Sequence, residues 1–221
     1  MRKCKPMIEY FNEDCMVGMA RYPDKYFDLA IVDPPYGGND AIGTKDCKNA
    51  NKQATARIEY KLFQNVAPTI EYFNELRRVS KHQIIWGANF YKGIDLSGGR
   101  IVWDKKGTAF GRAELAYCSK SKSVEIFEYT WNGMLQENMK NKERRIHPTQ
   151  KPVALYKWLL KNYAKPGDLI LDTHVGSASS LIACYDMGFD AVGFEIDADY
   201  FRMATERLEE HKAQLNMFID L

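Results

Sequence analysis

The 221-residue sequence predicts an α/β fold in which helices cover an open sheet. Three observations carry that expectation. Apolar runs of strand length alternate with segments of helical spacing. Turn signals such as Pro166-Gly167 separate the two kinds of segment. The composition, 45% hydrophobic and 27% charged, is that of an ordinary globular protein with enough chain to bury a core. A single domain over residues 1–221 is expected on length.

Residues 7–11 read as a first strand and 27–32 as a second, buried one. Helical spacing runs over 68–79 through Ile70, Phe73 and Leu76, and residues 83–86, 100–103, 114–117 and 124–127 are further strand candidates. Pro152, suited to a first helical turn, opens a helix carrying Leu155, Trp158, Leu159 and Tyr163. A strand at 169–171, a helix at 177–187 and a strand at 191–194 follow. Asp197 then caps a last helix with Phe201, Ala204, Leu208 and Leu215. Two stretches break this rhythm. Residues 37–65 are polar and small, and read as a mobile loop because structureless segments of that length tend to be functional or mobile. Residues 129–147 are polar and basic around Trp131.

No apolar run approaches the ~20 residues of a membrane span, and Met1-Arg-Lys-Cys-Lys-Pro6 lacks a signal peptide's apolar stretch. Five cysteines (Cys4, Cys15, Cys47, Cys118 and Cys184) form no C-x-x-C pair, and their odd number suits reduced thiols. None of His82, His147, His174 and His211 has ligand-like spacing, so no metal is expected. The net charge of +2 favours no partner, yet residues 100–151 hold 11 basic residues against 6 acidic ones.

Four strands finish near a carboxylate: Asp14, Asp33, Asp172 and Glu195. In open parallel sheets ligands bind beyond the carboxyl ends of the strands, so four such acids point to a ligand site. The turn from His174 through Gly176 and Ser177 to Ser180 follows a strand and opens a helix, which aims backbone N–H groups at a ligand. It lacks dinucleotide and P-loop glycine spacing; beside Asp172 and Glu195 it favours a nucleoside joined to an amino acid, with Glu195 on the ribose diol. Asp33-Pro34-Pro35-Tyr36 is the sharpest feature. Two prolines without N–H groups leave a rigid shelf of acceptors beside an aromatic ring, suited to an exocyclic amine on a stacked base.

With these motifs in view, the sequence resembles the beta-class DNA amino-methyltransferases that use S-adenosylmethionine, especially small adenine-N6 enzymes of phage and prophage type. Asn12-Glu-Asp14-Cys15 is similar to that family's acidic motif and Asp33-Pro-Pro-Tyr36 to its catalytic motif. His147-Pro-Thr-Gln-Lys-Pro152 resembles the segment closing over the methionine end of the cofactor, and Asp172 to Ser180 the cofactor loop. Thr173, His174 and Ala178 depart from the usual Pro, Phe and second Gly. Ala178 is the mildest departure, unless its φ must be positive.

The resemblance implies a Rossmann-like sheet, mostly parallel, with helices on both faces and the catalytic motif preceding the cofactor motif. It implies methyl transfer from S-adenosylmethionine to adenine N6 in double-stranded DNA, leaving S-adenosylhomocysteine. Asp33, Pro34, Pro35 and Tyr36 would be catalytic. Asp14, Cys15, Thr149, Lys151, Asp172, His174, Gly176, Ser177 and Glu195 would bind cofactor. Target recognition would fall at about 100–147, with Lys105, Lys106, Arg112, Lys140, Lys142, Arg144 and Arg145 facing DNA. A bacterial or phage-infected cytoplasm, without membrane, is the expected setting; a homodimer and a cognate restriction enzyme are compatible partners. N4-cytosine methylation is the nearest alternative, although that group more often begins its catalytic motif with serine. RNA or protein-amide methyltransferases usually carry the opposite motif order, and a DNA-binding relative without catalysis is the remaining reading.

Overall fold

The computed structural model describes residues 5–37, 65–107, 111–132 and 135–219, with side chains described up to residue 214. Eight strands form one sheet: β1 (Ile8–Phe11), β2 (Phe27–Val32), β3 (Ser80–Trp86), β4 (Gly99–Asp104), β5 (Ala113–Cys118), β6 (Val124–Glu128), β7 (Ile170–Asp172) and β8 (Ala191–Phe194). Their spatial order is β1-β8-β7-β2-β3-β5-β4-β6. Neighbours are parallel except where β5 pairs with β3 and with β4. The helices are α1 (Cys15–Met19), α2 (Ile70–Val79), α3 (Val153–Tyr163), α4 (Ser179–Met187) and α5 (Ala198–Ile219).

The central strands are apolar on both sides because both faces are covered. From β2 and β3, Leu29, Ile31, Ile84 and Trp86 pack with Leu155 and Leu159 of α3, Leu181 of α4 and Leu208 of α5. Ala30, Val32 and Ile85 pack with Met19 of α1 and with Phe73 and Leu76 of α2. This is the doubly covered Rossmann-like sheet, mostly parallel, that the motif order implied.

Element by element, the structure adds one helix, shortens another and revises the reading of Ala178. A five-residue helix, α1, follows β1, too short to announce itself by periodicity; Asp14 caps it, its carboxylate accepting from Met16 N at 2.7 Å. Helix α4 starts at Ser179 rather than 177, because Gly176 and Ala178 hold left-handed φ of 55° and 62°. Ala178 is therefore no mild departure: a side chain in that region costs about 1–2 kcal/mol, against the packing of its fully buried methyl. The described part of the 129–147 stretch is anchored, since Trp131 and Gln136 within it and Gln150 just beyond it are buried. Trp131 Nε1 donates to Gln150 O at 2.9 Å, and Gln136 exchanges hydrogen bonds with the Glu143 backbone.

The 37–65 loop lies outside the described residues except at its ends, where Gly37 N donates to Asn65 Oδ1 (3.2 Å) and Asn65 Nδ2 to Gly37 O (3.3 Å). Cys15, Cys118 and Cys184 are free thiols. Among the described residues no helix is long and apolar enough to cross a membrane, and no cluster of ligands suits a metal ion.

Candidate active site

Strands β1, β8, β7 and β2 are consecutive neighbours and mutually parallel, so their carboxyl ends share one edge of the sheet. That edge gathers Asp14, Glu195, Asp172 and Asp33, which are far apart in sequence. Against it lies a cavity of about 500 Å³, a size suited to a small-molecule ligand. Asp33, Pro34, Pro35 and Tyr36 line one side, and His174, Gly176, Ser177 and Glu195 another. His147, Thr149 and Lys151 complete it from the segment that returns out of the outer sheet.

Backbone N–H groups organise the turn after β7. Gly176 N donates to Glu195 Oε2 and Asp197 N to Oε1, both at 2.9 Å. Burial pushes the Glu195 carboxyl up, with these donors opposing it. His174 N donates to Asp172 Oδ1 at 3.0 Å, and the Ser180 hydroxyl donates to Oδ2. Burial lifts Asp172 to about 7 despite those bonds. Its carboxylate braces the turn from beneath; it does not line the cavity. Burial likewise pushes the His174 and His147 imidazoles down to about 4, so both are neutral near pH 7. His174 shares a 2.9 Å hydrogen bond with the Thr173 hydroxyl and meets the Tyr72 ring edge-on. The Thr149 hydroxyl lies 3.1 Å from His147 Nδ1.

The Asp33–Tyr36 shelf is more occupied than its prolines suggested. Asp33 Oδ1 accepts from the Tyr36 hydroxyl at 2.7 Å, Oδ2 from Lys151 Nζ at 2.5 Å, and Pro34 O from the Tyr91 hydroxyl at 2.8 Å. Each acceptor keeps a further lone pair for a ligand donor. The Tyr36 ring lies flat against half-exposed Phe90, with centroids 4.9 Å apart and planes 10° apart. Gly87 is required here: a Cβ on it would come within 2.2 Å of the Tyr36 ring, and its φ is +73°. Burial raises the Asp33 carboxyl, with Lys151 pulling the other way. Lys151 is buried in an ion pair with Asp33 and a second one, at 2.9 Å, with Glu114 of β5.

The structure brings ten of the thirteen expected catalytic and cofactor residues to the cavity wall; Asp14, Cys15 and Asp172 are the others. Cys15 is half-buried, and burial pushes its thiol up to about 12. Sequence reasoning missed Tyr91, Phe90 and Glu114. For Phe90 and Tyr91 the available signal was a Gly-Ala-Asn-aromatic run directly after β3. Among the basic residues, Lys140, Lys142, Arg144 and Arg112 are exposed, whereas Arg145 Nη2 donates to Pro148 O at 2.6 Å. Lys105 is largely buried against Glu114 and over the Trp103 ring, and Lys106 pairs with Glu137 at 3.0 Å.

Comparison with known proteins bears on what this site belongs to. Residues 101–206 match the N6/N4 family model described as DNA methylase. The protein YubD of Escherichia coli strain K12, which carries a methylase designation, is 25% identical over 212 residues, spanning 91% of this chain and 90% of that one. Among solved structures, the M1.HpyAVI–SAM complex superposes with a TM-score of 0.55 at 19% identity, covering 91% of this chain and all of that one. PvuII DNA methyltransferase, described as cytosine-N4-specific, gives a TM-score of 0.56 at 13% identity over 98% of this chain and 95% of that one. The structural likenesses establish the fold. Over residues 101–206, from the outer strands into the last helix, the chain is similar to the N6/N4 family of DNA methylases.

Proposed function

We propose that the protein methylates the N6 amino group of adenine at specific sites in double-stranded DNA, using S-adenosylmethionine. The observation that carries this reading is the shared cavity: the acceptor shelf of Asp33 and Pro34 opens onto the same space as the Gly176–Glu195 turn. The donor set fits the cofactor. Glu195 retains lone pairs for a ribose diol after accepting from Gly176 and Asp197. Thr149, His174 and Ser177 supply polar groups farther along the wall. When bound, S-adenosylmethionine supplies a methyl group on a positively charged sulfur.

The remaining chemistry is this chain's own. Adenine N6 is a weak nucleophile because its lone pair is delocalised into the ring. The Asp33 carboxylate and the Pro34 carbonyl can accept its two N–H bonds, which draws the nitrogen toward tetrahedral geometry and frees the pair. Asp33 then holds the proton shed as the new N–C bond forms. Reaching this shelf requires the base to leave the stack, a cost of a few kcal/mol, which stacking on Tyr36 would offset by roughly 1–3 kcal/mol. An aspartate at the first motif position, where N4-cytosine enzymes more often carry serine, favours adenine. The exposed Lys140, Lys142 and Arg144 supply phosphate contacts.

The deciding experiment methylates a random-sequence DNA library with the pure protein, maps the modified bases and analyses digests by mass spectrometry. N6-methyladenine at one recurring sequence is expected. N4-methylcytosine would move the reading to the cytosine branch, and binding without methylation to a relative that has lost catalysis. For the cofactor site, Glu195→Ala should weaken S-adenosylmethionine binding in calorimetry by about 10–100-fold, the loss of one or two charge-assisted hydrogen bonds. Unchanged affinity would remove Glu195 from the ribose position.

A further inference from the structure

A row of alternating charge runs from the catalytic motif into the outer sheet: Asp33, Lys151, Glu114, Lys105. The Lys151 ammonium is 3% exposed and sits 2.5 Å from Asp33 and 2.9 Å from Glu114. The other oxygen of Glu114 takes Lys105. We propose that Glu114 is a positioning residue for methyl transfer: by sharing the Lys151 ammonium, it lets Asp33 release that cation when the target amino group arrives. The inference rests on the proposed transfer to an exocyclic amine.

Before a substrate enters, each Asp33 oxygen already has a donor, Tyr36 on one and Lys151 on the other. An incoming amine must share or displace one of them. A lysine with a single partner in a dry site would stay with it, because parting would leave two buried charges unpaired. With Glu114 on its other side, the ammonium remains neutralised through the exchange. Glu114 also offsets the field of Lys151, which would otherwise make Asp33 a poorer acceptor and a weaker base. The groups facing Asp33 are Lys151, Glu114 from β5, and the Tyr36 and Tyr91 hydroxyls, with Tyr156 of α3 and Asp172 of β7 behind. Burial raises Asp33, Lys151 lowers it and Glu114 raises it again. Glu114 itself is held at about 2 by Lys151 and Lys105 against the effect of burial, so it stays charged throughout the working range.

The test is Glu114→Gln in the intact protein, with the Asp33 carboxyl followed by carbon-13 NMR titration and single-turnover methylation followed against pH. The Asp33 midpoint should fall by about one pH unit, and the single-turnover rate by at least about 10-fold. Cofactor and DNA affinities should stay within about twofold of wild type, since Glu114 touches neither in this arrangement. An unmoved Asp33 midpoint, or a wild-type rate, overturns the proposal. Should Glu114→Gln not fold, Glu114→Asp keeps the charge with a shorter reach; a reduced rate with an unmoved midpoint supports the role, and a wild-type rate overturns it. If the wild-type protein methylates no DNA, the parent reading fails. The Asp33 titration still decides whether Glu114 acts on that carboxylate.

Discussion

Asp33→Ala should lower the methylation rate by about 10³-fold or more while leaving S-adenosylmethionine affinity within about twofold. Asp33 lines the cavity on the segment after β2, whereas the cofactor contacts proposed above come from other segments of its lining. In the proposed reaction, the substitution removes the acceptor that would prepare the amino nitrogen and the group that would take its proton. Lys151 keeps its ion pair with Glu114 and its 3.2 Å hydrogen bond to the Tyr36 hydroxyl, so the cation has no reason to leave the fold. Burial raises the Asp33 carboxyl, and catalysis needs its ionised form. The wild-type rate should therefore fall on the acid side at a pH above the ordinary aspartate value, and that limb should vanish from any residual activity of Asp33→Ala. Full activity in this variant would sink the mechanism.

Lys151→Met is expected to be the most destabilising single change in the site, by about 3–5 kcal/mol in urea unfolding. Two carboxylates that now share one ammonium would face each other across its place, with only Glu114 keeping a second cation, Lys105. The sign with pH follows. Without Lys151, the raised pKa of Asp33 climbs further, so the penalty is fully present above that folded-state pKa, fades as pH falls through it, and is gone below the unfolded-state pKa. The double variant Asp33→Asn/Lys151→Met should recover most of the lost stability. If it is as unstable as Lys151→Met alone, the cost comes from packing and not from charge. Turnover should suffer far more than cofactor affinity, because the ammonium is committed to the two carboxylates.

The strands were legible because each is an apolar run of strand length, and the last helix because Asp197 stands directly before it, its carboxylate accepting from Asp199 N at 2.9 Å. What local pattern does not carry is strand order. Each acid could be seen to follow its own strand, but only pairing between distant segments makes β1, β8, β7 and β2 neighbours. Glu114 escaped for the same reason. Within its strand it looks like one polar position in an alternation, and the antiparallel insertion of β5 beside β3 is what sets it against Lys151. Lys105 and Lys106 belonged to a strip read as DNA-facing from charge alone, yet acidic partners on other segments hold both. Charge counts register sign and density; they do not register which charges are already spoken for. Ala178 shows the converse limit, since its left-handed φ is a property of the turn between Gly176 and α4 and not of alanine.

The pairing of β2 with β7 at the middle of the sheet has a consequence for how the molecule is made. Leu29 lies opposite Ile170, so the Asp33–Tyr36 shelf and the Gly176 turn become neighbours only when segments far apart in sequence meet. The edge of β2 that β7 covers is left open until a segment far along the sequence arrives to pair with it. Such non-local closure makes for slow folding and a late, all-or-none appearance of the binding cavity. The cavity therefore belongs to neither segment alone: a fragment holding only the Asp33 motif, or only the Gly176 turn, lacks one part of its lining.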